Sequence, residues 1–195
     1  MEIEKIVSKI ISDLIKNRDH QKDNWNEHSK YLLIKNLNND ETGEVGELLL
    51  QDIFTRNGHK VEYEKAVTSE DKDWDIIIDD IKIEVKTATI GRTAKTFQHE
   101  KFFKNRNYDA FIFFDFTPNE LYVTIGRKKD IVWKKLTKRM VNGVFTSEYK
   151  FDLSLKMIEE GKTKKIKDCC VSLINDEEDL LDLFDKFKKK LVKIN

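Results

Sequence analysis

The sequence predicts a mixed α/β fold of the α+β type, a central sheet flanked by helices, and three observations carry that prediction. Apolar residues recur at helical spacing towards both ends of the chain. Short runs of β-branched residues with alternating polarity fill its middle. Ala110–Phe116 is an almost unbroken apolar run, as a strand covered on both faces requires. With 195 residues, the chain has the length of one domain with a sizeable core.

Taken in order, Ile3, Ile6, Val7, Ile10, Ile11, Leu14 and Ile15 place an amphipathic helix over 2–16, and a second helix is expected around 25–37. Thr42 is read as the cap of a helix whose stripe is Val45, Leu48, Leu49, Ile53 and Phe54, with Asn57-Gly58 as its left-handed stop. Strands are expected at 59–67, 74–78 and 81–88, the last two joined by Asp79-Asp80. A polar helix over 97–106 precedes strand 110–116, and Pro118-Asn119 turns the chain into strand 121–125. Beyond it are expected a basic helix over 128–139, a strand 148–152, a helix 153–160, a strand 169–174 and a helix 177–192. The last carries acids in its first turn and lysines in its last, as the helix dipole favours.

The 36 basic and 36 acidic side chains cancel, which excludes a uniformly basic polyanion binder. The charges are nonetheless sorted by region. Residues 62–80 carry eight acids and two lysines, residues 88–107 carry five bases and one acid, and residues 126–150 carry eight bases and two acids. An acidic knot followed by basic segments is the distribution expected where a metal ion and phosphates meet. No apolar run approaches the roughly 18 residues of a membrane span, and the N-terminus has no secretory apolar segment. Adjacent Cys169-Cys170 suit neither a disulfide nor a zinc site, so a cytoplasmic protein is expected. No glycine-rich phosphate loop is present, because Gly43 and Gly46 lack the preceding strand, and no nucleotide cofactor is expected.

The chemistry concentrates in the hairpin around Asp79-Asp80. Counting outward from a two-residue turn pairs Ile78 with Ile81, Ile77 with Lys82, Ile76 with Ile83 and Asp75 with Glu84. Alternation sends Ile81, Ile83 and Val85 to one face and Lys82, Glu84 and Lys86 to the other. Asp75, Glu84 and Lys86 therefore share a side. Opposed carboxylates repel unless a cation lies between them. A hard divalent metal held by Asp75, Glu84 and the carbonyl of Val85 would satisfy both, with Lys86 as an orientable charge aimed at the same cavity. Such a site can hydrolyse phosphodiesters. On an ordinary surface strand the same residues would be solvated charges. The aliphatic residues between the acids, the acid-bearing helix before them (Glu44, Glu47) and the polar segment after them (Gln98, Lys101) favour the chemical reading.

Asp75 and Glu84-Val85-Lys86 resemble the PD-(D/E)XK nuclease superfamily, with Asp75 as the first acid and Trp74 where the superfamily's name has proline. Gly43-Glu44-Val45-Gly46-Glu47 resembles the upstream helix that supplies a further acid there, Glu47 in preference to Glu44. Thr96–Glu100 and Tyr108–Phe114 resemble type II restriction endonucleases, whose following helix carries a supporting polar residue, here Gln98. The resemblance covers about 42–125 within a single domain spanning 1–195. It implies a restriction-endonuclease-like core with helical terminal elaborations, 1–40 and 126–195, for DNA recognition or dimerisation. It further implies an Mg²⁺-dependent endodeoxyribonuclease, with Mn²⁺ as a substitute, acting on double-stranded DNA as a homodimer. Asp75, Glu84, Lys86, Glu47 and Gln98 would be its catalytic residues, and Asp75, Glu84, Val85 and Glu47 its metal ligands. A junction-resolving nuclease and a non-catalytic DNA-binding subunit are the alternatives. Arg92, Lys95, Lys101 and Lys104 are candidate phosphate contacts, and the basic stretch Arg127–Arg139 would follow the DNA backbone. Of the four histidines, only His99 neighbours a candidate residue.

Overall fold

The computed structural model describes residues 1–15, 25–63, 73–91 and 95–192. Lys16, the strand end at 64–67, the acids Glu64, Glu70 and Asp71, and Arg92 lie outside the described residues. Helix α1 (Ile3–Leu14) and helix α2 (Asn39–Arg56) lead into strands β1 (Val61–Tyr63), β2 (Ile76–Ile78), β3 (Ile81–Thr89), β4 (Thr96–Phe103), β5 (Ala110–Phe116) and β6 (Leu121–Arg127). Strands β7 (Thr137–Val141) and β8 (Val144–Ser154), helix α3 (Leu155–Glu159), strand β9 (Cys169–Leu173) and helix α4 (Glu177–Val192) complete the described chain.

Six strands form a mixed sheet in the order β1-β2-β3-β5-β6-β9, and three form a second sheet in the order β4-β8-β7. Within the larger sheet β3 and β5 are parallel, whereas the other neighbours run antiparallel. One face buries Ile83, Val85, Ile112 and Phe114 against Val7, Leu49, Ile53, Phe54 and Phe184 of α1, α2 and α4. The other face buries Phe111 and Phe113 against Phe97, Phe102 and Phe151 of the second sheet. Helices, large sheet and small sheet are therefore three layers with a core on each side of the middle one. Strand β5 is buried along its whole length, as its apolar run requires.

Several expectations are corrected. The segment 97–106 is not a helix but strand β4. Phe97, His99 and Phe102 are buried while Gln98 and Lys101 are exposed, a two-residue period shifted once by a bulge between His99 and Phe102. The segment 128–139 is not a basic helix either. Two short 3-10 turns, Lys128–Asp130 and Trp133–Lys135, precede β7. Asp130 folds back onto Arg127, and β-branched Ile131 bridges to Ile166, which breaks the helical path. The expected helix around 25–37 is only a 3-10 turn, Leu32–Asn36, whose preceding Tyr31 N–H bonds Pro118 O at 3.1 Å. Helix α2 is capped by Asn38 rather than Thr42: the Asn38 side chain accepts the Glu41 N–H and Glu41 reaches back to the Asn38 N–H.

Candidate active site

The hairpin closes as the sequence count requires, with Ile78, Ile77 and Ile76 opposite Ile81, Lys82 and Ile83. Asp79 and Asp80 both take positive φ, 50° and 66°, the paired left-handed residues of a type I′ turn. Asp79 Oδ2 is pinned by His59 Nδ1 at 2.8 Å and Lys188 Nζ at 3.1 Å, which ties the turn to α4.

Strand β2 stops at Ile76, while β3 runs on to Thr89. From Val85 the outer edge of β3 is thus open, and the N–H and C=O of one residue point to the same side of a strand. Asp75 fills that edge. Its N–H donates to Ile83 O at 2.9 Å, and its Oδ2 accepts the Val85 N–H at 2.7 Å. The Val85 carbonyl accepts from Lys86 Nζ at 3.0 Å. Lys86 Nζ also lies 2.6 Å from Glu84 Oε1 and 3.5 Å from Asp75 Oδ2. Three oxygens, from Asp75, Glu84 and Val85, therefore converge on one cationic nitrogen.

Glu84 is fully buried, and among the described residues no backbone N–H or hydroxyl donates to its carboxylate. It is held by the Lys86 ammonium, 2.6 Å from Oε1, and by Arg106 Nη1 at 3.6 Å. Burial raises the Glu84 pKa, and the Lys86 and Arg106 charges offset part of that rise. For Lys86 burial acts downward, but Asp75, Glu84 and Glu47 outweigh it and hold the ammonium above its ordinary pKa. Arg106 itself lies over the Phe103 ring, its guanidinium carbon 4.1 Å from the centroid.

Glu47 reaches this cluster from α2. Gly46 lets the helix approach β3 closely: its N–H donates to Thr87 Oγ1 at 3.2 Å, and a Cβ there would come within 2.5 Å of that oxygen. The next residue is Glu47. Burial, then repulsion from Asp75, pushes its carboxyl up to about 7, with Lys86 and Tyr63 pulling the other way. Glu44 acts on Glu47 as a weaker repulsion. Gln98 is not brought to the cluster. It is exposed on β4, opposite Asp152, on the face away from buried His99. Lys95 and Lys104 are exposed, and Lys101 Nζ stands 4.0 Å from Asp40 Oδ1. His99 is a structural tie: it stacks on Phe113 at 4.0 Å and pairs through Nε2 with buried Asp115 Oδ1 at 3.0 Å. Arg106 is the residue that sequence reasoning missed. It stands in the basic stretch after β3 with no pattern to single it out.

The donor set suits a hard divalent ion: two carboxylates, one of them fully buried, and a carbonyl around one point. Asp75, Glu84 and Val85 would hold such an ion, and Lys86 Nζ stands among their oxygens. Among the described residues no group of three or more His, Cys, Asp or Glu side chains is arranged as a ready metal cage. A magnesium ion held by two carboxylates and completed by water and phosphate does not require one.

No protein-family model and no curated protein matches the chain. Among solved structures, a bacterial homing endonuclease, I-Ssp6803I, aligns with 12% identity and a TM-score of 0.34, over 43% of this chain and 66% of that one. So slight a likeness, over part of each chain, carries no weight for function.

Proposed function

We propose that the protein is a metal-dependent endodeoxyribonuclease that hydrolyses phosphodiester bonds of double-stranded DNA, of the sequence-specific restriction type. The observation that carries this reading is the convergence of Asp75, Glu84 and the Val85 carbonyl on a single cation position at the open edge of β3. Bound Mg²⁺ or Mn²⁺ would lower the pKa of water and neutralise charge building on the phosphoryl oxygens.

The chain's own residues divide the remaining work. Asp75 and Glu84 would hold the cation, and the charges of Lys86 and Arg106 offset part of the rise that burial imposes on the Glu84 pKa. Lys86, whose flexible stem carries a compact charge, moves off the three oxygens and orients the attacking water against the phosphate. Glu47, poised at about 7, exchanges a proton at neutral pH. Water attacks phosphorus directly, and no covalent intermediate is needed. A two-fold dimer would let each protomer cut one strand.

One observation favours a second reading. Lys86 already pairs with both acids, an arrangement that a non-catalytic DNA-binding subunit would also keep. Incubating a long natural DNA with Mg²⁺ and sequencing the ends separates these outcomes. Uniform ends at one short motif support the restriction reading. Cleavage confined to branched DNA assigns a junction nuclease instead, and binding without cleavage assigns the non-catalytic subunit.

A further inference from the structure

We propose that the β7–β8 hairpin is a DNA-contacting arm whose apolar tip wedges into the duplex; this deepens the nuclease reading and rests on it for the choice of substrate. The hairpin turns at Asn142 and Gly143, both with positive φ, 50° and 80°. Just before and after that turn stand two cross-strand pairs, Met140 opposite Phe145 and Val141 opposite Val144. All four are exposed, by 57%, 62%, 44% and 68% respectively. Adjacent pairs on a ladder point to opposite faces. Both faces of the tip are therefore apolar, which suits insertion between two surfaces and not docking by one side.

The base of the hairpin, β7 and the two 3-10 turns before it, supplies the charge. Lys129, Lys134, Lys135 and Lys138 are exposed, and none has an acidic partner among the described residues. By contrast Arg139 pairs with Glu148 at 2.5 Å, which braces the ribbon where it leaves the body. A lysine on an edge strand also discourages pairing with another strand, and Lys138 lies on β7, such an edge. Two copies joined there would set these lysines against each other, so a polyanion is the better-matched occupant. From Arg139 to the turn at Asn142 the ribbon extends about 10 Å at ~3.3 Å per residue. That reaches the floor of a minor groove about 7.5 Å deep, where apolar side chains unstack base steps and bend DNA. The arm also connects to the acid cluster. Glu148 is the ladder partner of Phe103, whose ring carries Arg106, the residue beside Glu84.

The test uses a short mixed-sequence duplex with a dye at each end, titrated in Ca²⁺ over a range of salt concentrations, its intactness checked on a gel. Wild type is compared with a tip variant, Met140→Ala with Phe145→Ala, and a stem variant, Lys134→Ala with Lys135→Ala and Lys138→Ala. Thermal unfolding confirms that both fold, as expected for changes at exposed positions. The stem variant should lower the slope of log affinity against log salt by about 2.7, at ~0.9 per phosphate contact. The tip variant should keep the slope, weaken binding roughly tenfold and abolish the change in end-to-end energy transfer. Wild-type affinity and bending in both variants would overturn the proposal. So would a tip variant that alters only self-association in sedimentation, or a wild type that does not bind DNA. Arm-dependent binding by a wild type that never cleaves DNA in Mg²⁺ would remove the nuclease reading and leave the arm. Cleavage with arm-independent binding would do the reverse.

Discussion

Lys86 is the residue on which the proposed site turns, because it is the counter-ion of Asp75 and Glu84 and, in the proposed nuclease, the group that would have to move. Replacing it with methionine leaves buried Glu84 facing Asp75 with Arg106, 3.6 Å away, as its remaining cation, and breaking such a buried pair costs roughly 3–5 kcal/mol. Lys86→Met should therefore lower the urea midpoint strongly in EDTA, and millimolar Mg²⁺ should recover much of the loss by filling the vacated position. Equal Mg²⁺ effects on wild type and variant would contradict the assignment of the three oxygens. Glu47 gives a pH prediction. Its folded pKa is raised from the ordinary 4.5 to about 7, so the folded state prefers the protonated acid. That stability is fully present below about 4.5 and is lost as pH rises through about 7. Glu47→Gln should leave stability unchanged at pH 4 and raise it at pH 8 by up to roughly 3 kcal/mol, at 1.36 kcal/mol per pKa unit. Urea melts at the two pH values check it, and a gain at pH 4 would sink it.

Two elements place these residues, α2 and the β2–β3 hairpin. In α2, Gly46→Ala would push a methyl to 2.5 Å from Thr87 Oγ1 and 2.7 Å from Phe114 Cδ2. The overpacking cost of about 1–3 kcal/mol outweighs the gain in helix propensity, about 1 kcal/mol, and unfolding should show a net loss. In the hairpin, Asp80→Gly removes a left-handed penalty of roughly 1 kcal/mol and gives up only the exposed Lys60 pair. A stability gain of about 0.5–1 kcal/mol is expected in the same assay. The hairpin was legible in the sequence because its turn length and period-two pattern leave one register that keeps Ile83 and Val85 on the core side. Strand β5 was legible from its apolar run. Strand β4 was not, since its aromatics sit at 97, 102 and 103, a spacing that a helix and a bulged strand both satisfy. Only pairing with β8, some fifty residues later, decides between them. The place of Arg106 beside Glu84 likewise follows from tertiary structure alone.

At the scale of the whole molecule, neutrality and function are compatible because the layers keep unlike charges apart. The acids around Lys86 gather where the outer side of β3 is left open in the six-stranded sheet, and the exposed lysines without an acidic partner among the described residues gather on and before β7 in the other sheet. Without a divalent ion, Asp75, Glu84 and Glu47 should repel a phosphate backbone, so duplex binding should weaken markedly in EDTA. Equal affinity with and without the chelator would count against a metal-bridged complex. The central claim is that the acids around Lys86 form a hydrolytic centre, and the conversion of supercoiled plasmid to nicked and linear forms tests it most directly. Wild type should cut in Mg²⁺, EDTA should stop it, and Asp75→Asn should slow it at least roughly hundredfold. A folded wild type that leaves plasmid and branched DNA intact in both Mg²⁺ and Mn²⁺, or an Asp75→Asn variant as fast as wild type, would contradict it.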